Sequence, residues 1–281
     1  MTSKTVLITG CSTGIGRATA ERFVRAGWTT YATARKPETL ADLEALGCRT
    51  LALDVNDEAS MVAAVEQVES DEGAVGVLVN NAGFSLTGPI EAVPMDEVRR
   101  QFDTNVFGLV RMCQLVLPQM RAHGWGRIIN ISSMGGKLTF PGMGFYHGTK
   151  YAVEAISDAL RFEVRPFGVK VVLVEPGLIK TAFGDTATGH LDTQVPADSP
   201  YASFVDGVAK AVADSYEGPM GVLAVGPDAV AKVIERAATT DRPRARYVVT
   251  AGAKALHATK VLLPDAGWDL AMRVQFPQPG R

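Results

Sequence analysis

The sequence predicts a doubly wound α/β fold, with a seven-stranded parallel sheet flanked by helices on both faces. Three observations carry this expectation. Short β-branched or apolar runs recur along the 281 residues, stretches with apolar residues at three- and four-residue spacing separate them, and a glycine-rich turn follows the first run directly. Strict alternation of strand and helix implies parallel strands joined by right-handed crossovers, because a right-twisted strand feeding a helix packs back onto its sheet in that hand.

The expected strands are, in order, Thr5 to Gly10, Thr29 to Thr33, Thr50 to Asp54, Val75 to Asn80, Arg127 to Ser132, Val169 to Glu175 and Tyr247 to Thr250. Ile15, Ala18, Thr19, Phe23 and Val24 mark a helix after the first strand, and Met61, Val62, Val65 and Val68 mark another after the third. Pro227 to Thr239 reads as a helix with a proline start, and Trp268 to Val274 as a short amphipathic helix ending before Pro277. Thr181 to Met220 breaks the pattern. Gly, Ala, Asp, Thr, Ser and Pro replace clear periodicity there, as in a substrate lid or a surface insertion. The length suits one domain over 1–281, with the lid insertion at about 181–220.

Hydrophobic residues at 47% and charged residues at 21% fit a globular chain in water, and a formal charge of -2 offers no basic footprint for nucleic acid. The start Met-Thr-Ser-Lys lacks the pattern of a signal peptide, so a cytoplasmic location is expected. No apolar run reaches the roughly 20 residues of a membrane helix, so no membrane span is expected. Cys11, Cys48 and Cys113 are odd in number and lack ligand spacing, which argues against a disulfide framework or a zinc site. Cys11 is reactive only if exposed. His123, His190 and His257 have no partners at ligand spacing, so no metal is expected.

Gly10, Gly14 and Gly16 follow the first strand and open the first helix, so the loop can turn tightly and present bare backbone N–H groups. A pyrophosphate can then sit against the positive end of the helix, cradled by Gly10, Ser12, Thr13, Gly14, Ile15 and Gly16. Tyr146 and Lys150, at i and i+4, share a helix face. Lowering a phenol from about 10 to about 7 requires roughly 4 kcal/mol. One unit charge near 4 Å at an effective dielectric of 20 is worth about that much. Lys150, aided by the positive ring of a bound oxidised dinucleotide, is therefore expected to acidify Tyr146. Ser133 ends the fifth strand beside this helix and can hydrogen-bond a substrate oxygen as charge develops on it, with Ser132 as competitor on the opposite face. His147 lies one residue from Tyr146, which turns it about 100° away, so packing or solvent is its expected environment.

The strings Thr9-Gly10-Cys11-Ser12-Thr13-Gly14-Ile15-Gly16, Asn80-Asn81-Ala82-Gly83, Tyr146-His147-Gly148-Thr149-Lys150 and Pro176-Gly177, with Ser133, resemble the motifs of the short-chain dehydrogenase/reductase family. The resemblance covers Thr5 to about Thr181. It implies a Rossmann dinucleotide-binding fold and an oxidoreductase acting on CH–OH groups with Tyr146 as proton donor or acceptor. The residues around Arg35 and Phe183 are most similar to the branch that includes 17β-hydroxysteroid and retinol dehydrogenases.

By that resemblance Asp54 hydrogen-bonds the adenine amino group with backbone help from Val55, although Asp54 could instead cap the following helix, as could Asn56 or Asp57. Asn81, Ala82 and Gly83 pass close to the adenosine ribose. Asn105 matches the residue that holds a water on the proton path to the lysine, or else only satisfies backbone freed by a helix kink. Pro176, Gly177, Ile179 and Thr181 form the loop that holds the nicotinamide carboxamide, with helix capping the competing role for Thr181. At the end of the second strand, Ala34 stands where enzymes using NAD place an acid, and Arg35 supplies a guanidinium for a 2′-phosphate, so NADP(H) is the expected cofactor.

Phe84, Leu86, Met134, Met143, Phe145, Leu178 and Phe183 lie close to these motifs and are apolar. If they line the cleft, the substrate is a small lipophilic secondary alcohol or ketone, or an aldehyde. Each could instead be core. The family's habit is a homodimer or homotetramer. The alternative function is a catalytically silent NADP(H)-binding regulatory protein on the same fold, which would have no need of Ser133, Tyr146 and Lys150 together.

Overall fold

The computed structural model describes residues 4–181, 195–196, 198–217, 221 and 224–280. Its strands are β1 (Thr5–Ile8), β2 (Thr29–Ala34), β3 (Arg49–Ala52), β4 (Val77–Asn80), β5 (Gly126–Ile131), β6 (Val169–Glu175) and β7 (Arg246–Val248). They form one seven-stranded sheet in the order β3-β2-β1-β4-β5-β6-β7, parallel at every pairing. The order runs outward in one direction from β1 and in the other from β4. A crevice therefore opens beyond the carboxyl ends of these two strands, where ligands bind in such sheets.

The helices are α1 (Gly14–Arg25), α2 (Ala41–Ala45), α3 (Glu58–Glu72), α4 (Met95–Phe102), α5 (Leu109–Ala122), α6 (Gly144–Val164), α7 (Ala202–Glu217), α8 (Pro227–Thr239), α9 (Ala251–Leu262) and α10 (Asp265–Gln275). Side chains alternate across each strand, so one sequence run feeds two cores. Val6, Ile8, Val79 and Ile129 pack under α1 and α8 against Phe23, Val230 and Ile234. Leu7, Leu78, Ile128 and Leu173 face the other way, against Val65, Met112, Val116 and Val153 of α3, α5 and α6.

The strands match the expected runs, with several ending one or two residues early. Thr9-Gly10 and Leu53-Asp54 have left the sheet to build loops. The expectation of no clear periodicity across 181–220 is corrected, because α7 occupies 16 residues of it. Phe204, Val208 and Val212 recur at four-residue spacing and pack with Phe140, Met272 and Phe276, but small residues between them hide the stripe. Phe183 and His190 lie outside the described residues. Among the described residues, no helix is long and apolar enough to cross a membrane.

Candidate active site

A cleft of about 650 Å³ runs along the carboxyl ends of the strands, from Arg35 at the end of β2 to Tyr146 and Lys150 on α6. Its floor is the turn between β1 and α1. Gly10 and Gly14 have φ of +72° and +60°, a region that a Cβ disfavours. A Cβ on Gly16 would collide with the Gly10 carbonyl. Thr13 precedes α1 without a side-chain cap, and no acidic residue occupies the first turn, so the N–H groups and the positive helix end are left for an anion.

The Asn80-Asn81-Ala82-Gly83 segment clamps this turn. The Thr9 hydroxyl accepts from the Asn81 and Ala82 backbone N–H groups, each at 3.0 Å. The Asn81 side-chain amide donates to the carbonyls of Thr9 at 2.9 Å and Gly10 at 3.0 Å. Asn80 lies buried beneath and donates to Asn130 Oδ1 at 3.0 Å, and Asn130 donates to Ser157 at 2.9 Å, which ties β4 to β5 and α6.

Ala34, exposed Arg35, Asp54, Val55 and Asn56 line one end of the cleft. The cap of α3 is Asp57, whose carboxylate accepts from the N–H groups of Ala59 and Ser60. Asp54 instead accepts from Asn56 N–H at 3.0 Å and keeps its place at the cleft. Pro176, Gly177, Ile179 and Thr181 border the other end, with Ile179 bridged to Val225. Bare N–H groups, a glycine-rich turn and a guanidinium along one groove fit a phosphorylated dinucleotide.

At the reactive end, Tyr146 is only 7% exposed and lines the cleft together with Ser133. Ser133 Oγ accepts from Gly135 N–H at 3.1 Å. Lys150 Nζ donates to the Ile131 carbonyl at 2.8 Å and stands 5.8 Å from the Tyr146 ring centroid. Burial pushes Tyr146 up to about 12, against the opposing pull of Ser133. Lys150 is aimed at a backbone carbonyl, and burial brings it down to about 8, opposed by Glu154.

Asn105 lies in a π-helical segment, Asp103–Gly108, between α4 and α5. Its amide donates to the Phe84 carbonyl at 2.9 Å and to Thr149 Oγ1 at 3.1 Å, and its oxygen accepts from Phe84 N–H at 3.0 Å. Thr149 donates in turn to the Tyr146 carbonyl at 2.7 Å. Asn105 thus joins α6 to the loop after β4. His147 is buried, accepts from Phe140 N–H at its Nδ1, and is pushed down to about 4 by burial. Cys11 is buried and pushed up to about 12, so its thiol stays protonated.

Of the apolar residues expected around the substrate, Phe84 lines the cleft, whereas Met134, Met143 and Leu178 stand outside its lining. Leu86 and Phe145 pack with Val93 and Val98 in a small cluster that Phe84 joins. Ser85, Arg100, Thr104 and Tyr216 also line the cleft and escaped sequence reasoning. Tyr216 rides on α7, whose apolar stripe was the available signal. Arg100 lies over the Phe84 ring at 4.5 Å, a contact between α4 and the loop after β4 that local sequence does not encode.

The model of the short chain dehydrogenase family matches residues 4–191. A 3-ketodihydrosphingosine reductase of Bacteroides thetaiotaomicron is 46% identical over 186 residues, covering 66% of this chain and 67% of that protein. An NADPH-dependent 3-dehydrocapnine reductase of Ornithobacterium rhinotracheale is 36% identical over 269 residues, with 92% of each chain covered. The closed form of a serine dehydrogenase complexed with NADP+ superposes with a TM-score of 0.75 at 28% identity, covering 88% of this chain and 94% of that one. This chain belongs to the short-chain dehydrogenase/reductase family.

Proposed function

We propose that this chain is an NADP(H)-dependent oxidoreductase that interconverts a lipophilic secondary alcohol and its ketone, or an alcohol and an aldehyde. The observation that carries the reading is the gathering of Ser133, Tyr146 and buried Lys150 in the one cleft onto which the glycine turn opens. Arg35 beside Ala34 supports a 2′-phosphate, and a relative named NADPH-dependent and a similar structure holding NADP+ support the same cofactor. Two relatives named for reducing a 3-keto and a 3-dehydro compound support a ketone substrate.

Held by the turn at Gly10 to Gly14, by Arg35 and by the loop from Pro176 to Thr181, NADPH would supply the hydride. Ser133 and Tyr146 hold the substrate oxygen, and Tyr146 gives it a proton; the raised phenol is in the protonated form that reduction needs. Lys150 provides positive charge beside the phenolate left behind, and Asn105 fixes α6 through Thr149. Phe84 supports an apolar substrate flank. A homodimer or homotetramer is supported by the exposed rings of Phe107 and Phe162, at 60% and 82% exposure, and is checked by light scattering. Three free buried cysteines support a reducing, cytoplasmic setting.

The test is NADPH consumption with a panel of medium-chain ketones, steroids and retinoids, run beside Tyr146→Phe. Turnover that depends on Tyr146 is expected. Full-rate turnover by the variant would reject the reading.

A further inference from the structure

Behind the cleft lies a cluster of charged groups that the proposed chemistry does not use. Glu154 sits one helical turn beyond Lys150 on α6, so the two share a face, and its side chain is only 4% exposed. Arg246 of β7 reaches it at 2.8 Å, and Lys137, just after β5, at 3.2 Å. Glu175 at the end of β6, 2% exposed, lies 3.3 Å from Arg246 and 3.7 Å from His257 of α9. Burial, with Glu154 facing it, pushes Glu175 up to about 7. Asp158, a turn further along α6, takes the other arm of Arg246 at 2.6 Å and also pairs with Arg161.

The layering of these charges decides their effect. Arg246 and Lys137 are 28% and 38% exposed, so water screens them from the outside. The Glu154 side chain is the buried member of the set, one helical turn from buried Lys150 on the same face, where screening is weakest. Gly136 lets the chain after Ser133 close over this spot, since a Cβ there would stand 2.9 Å from Glu154 Cγ and 3.3 Å from the Lys150 carbonyl. We propose that Glu154 is a positioning residue for Lys150: anchored by Arg246 and Lys137, its buried carboxylate keeps the Lys150 ammonium charged at the reactive end of the cleft. Removing that anion leaves a buried cation whose charged form is costly. The opposing pulls of burial and Glu154 on Lys150 agree in sign with this role. The inference rests on the function proposed above, in which Lys150 acts as a cation.

The experiment is a pH titration of Lys150 by 13C NMR of lysine-labelled protein, its resonance assigned by loss in Lys150→Arg. It is paired with the pH profile of kcat/KM for ketone reduction. Glu154→Gln is expected to lower the Lys150 midpoint by about one pH unit. The alkaline limb of the profile should move with it, and Glu154→Asp should restore both. Glu154→Leu, which removes the same charge and leaves no buried amide, is expected to lower the midpoint likewise, and it decides the matter if Glu154→Gln does not fold. A midpoint unmoved in every folded variant of this pair overturns the proposal, even if thermal stability falls. The titration needs neither cofactor nor substrate, so an inactive wild type would sink the functional reading alone. An unmoved midpoint in an active enzyme sinks only the role of Glu154.

Discussion

Lys150 holds its ammonium nitrogen 5.8 Å from the centroid of the Tyr146 ring while donating to the Ile131 carbonyl at 2.8 Å. The lysine therefore also pins α6 to the end of β5. Lys150→Met leaves that buried carbonyl without its donor, and a loss of about 1–3 kcal/mol in denaturant unfolding is expected. Tyr146→Phe keeps the ring and removes only the hydroxyl. Its stability should stay near wild type while kcat for ketone reduction falls by roughly 10² to 10⁴.

Arg35 is exposed at the rim of the cleft, beside an alanine. One charge-assisted contact contributes about 1.5–3 kcal/mol, so Arg35→Ala should weaken NADPH binding roughly ten- to a hundredfold and leave NADH nearly unchanged. Titration of each dinucleotide against both proteins checks this. Equal losses for the two would defeat the assignment of NADP(H).

Two glycines provide a contrast in packing. A Cβ on Gly16 meets the Gly10 carbonyl and Asn81 Nδ2, whereas a Cβ on Gly226 meets nothing within 4 Å. Gly16→Ala is expected to cost about 1–3 kcal/mol and to weaken dinucleotide binding by displacing the turn. Gly226→Ala, at φ of -72°, should unfold like wild type. Chemical denaturation with and without NADPH separates the two effects.

His147 contributes a pH dependence. Its folded pKa is lowered to about 4 from 6.5, so between these values the unfolded chain binds more protons and stability rises with pH. The contribution is complete above about 6.5 and is lost as pH falls toward 4, amounting to about 3 kcal/mol. His147→Asn, which keeps an acceptor for Phe140 N–H and removes the titration, should flatten the unfolding midpoint across that window.

Much of the sheet and of the glycine turn was legible because the signals are local. Continuous apolar runs such as Thr5–Ile8 and the proline-started Pro227–Thr239 depend on backbone geometry and neighbouring residues, and the structure repeats them to within a few positions. Helix α7 was hidden because its stripe is sparse and packs on Phe140 and Phe276, which are distant in sequence.

The sequence by itself determined the elements, the turn at Gly10 to Gly16 and the i to i+4 spacing of Tyr146 and Lys150, since each follows from the residues within one turn or strand. Only the tertiary structure decided that Lys150 faces Ile131, that Glu154 and Glu175 meet around Arg246, and that Tyr216 enters the cleft. Those outcomes depend on burial and on contacts between elements far apart in the chain, and the energy of a charge depends on what surrounds it.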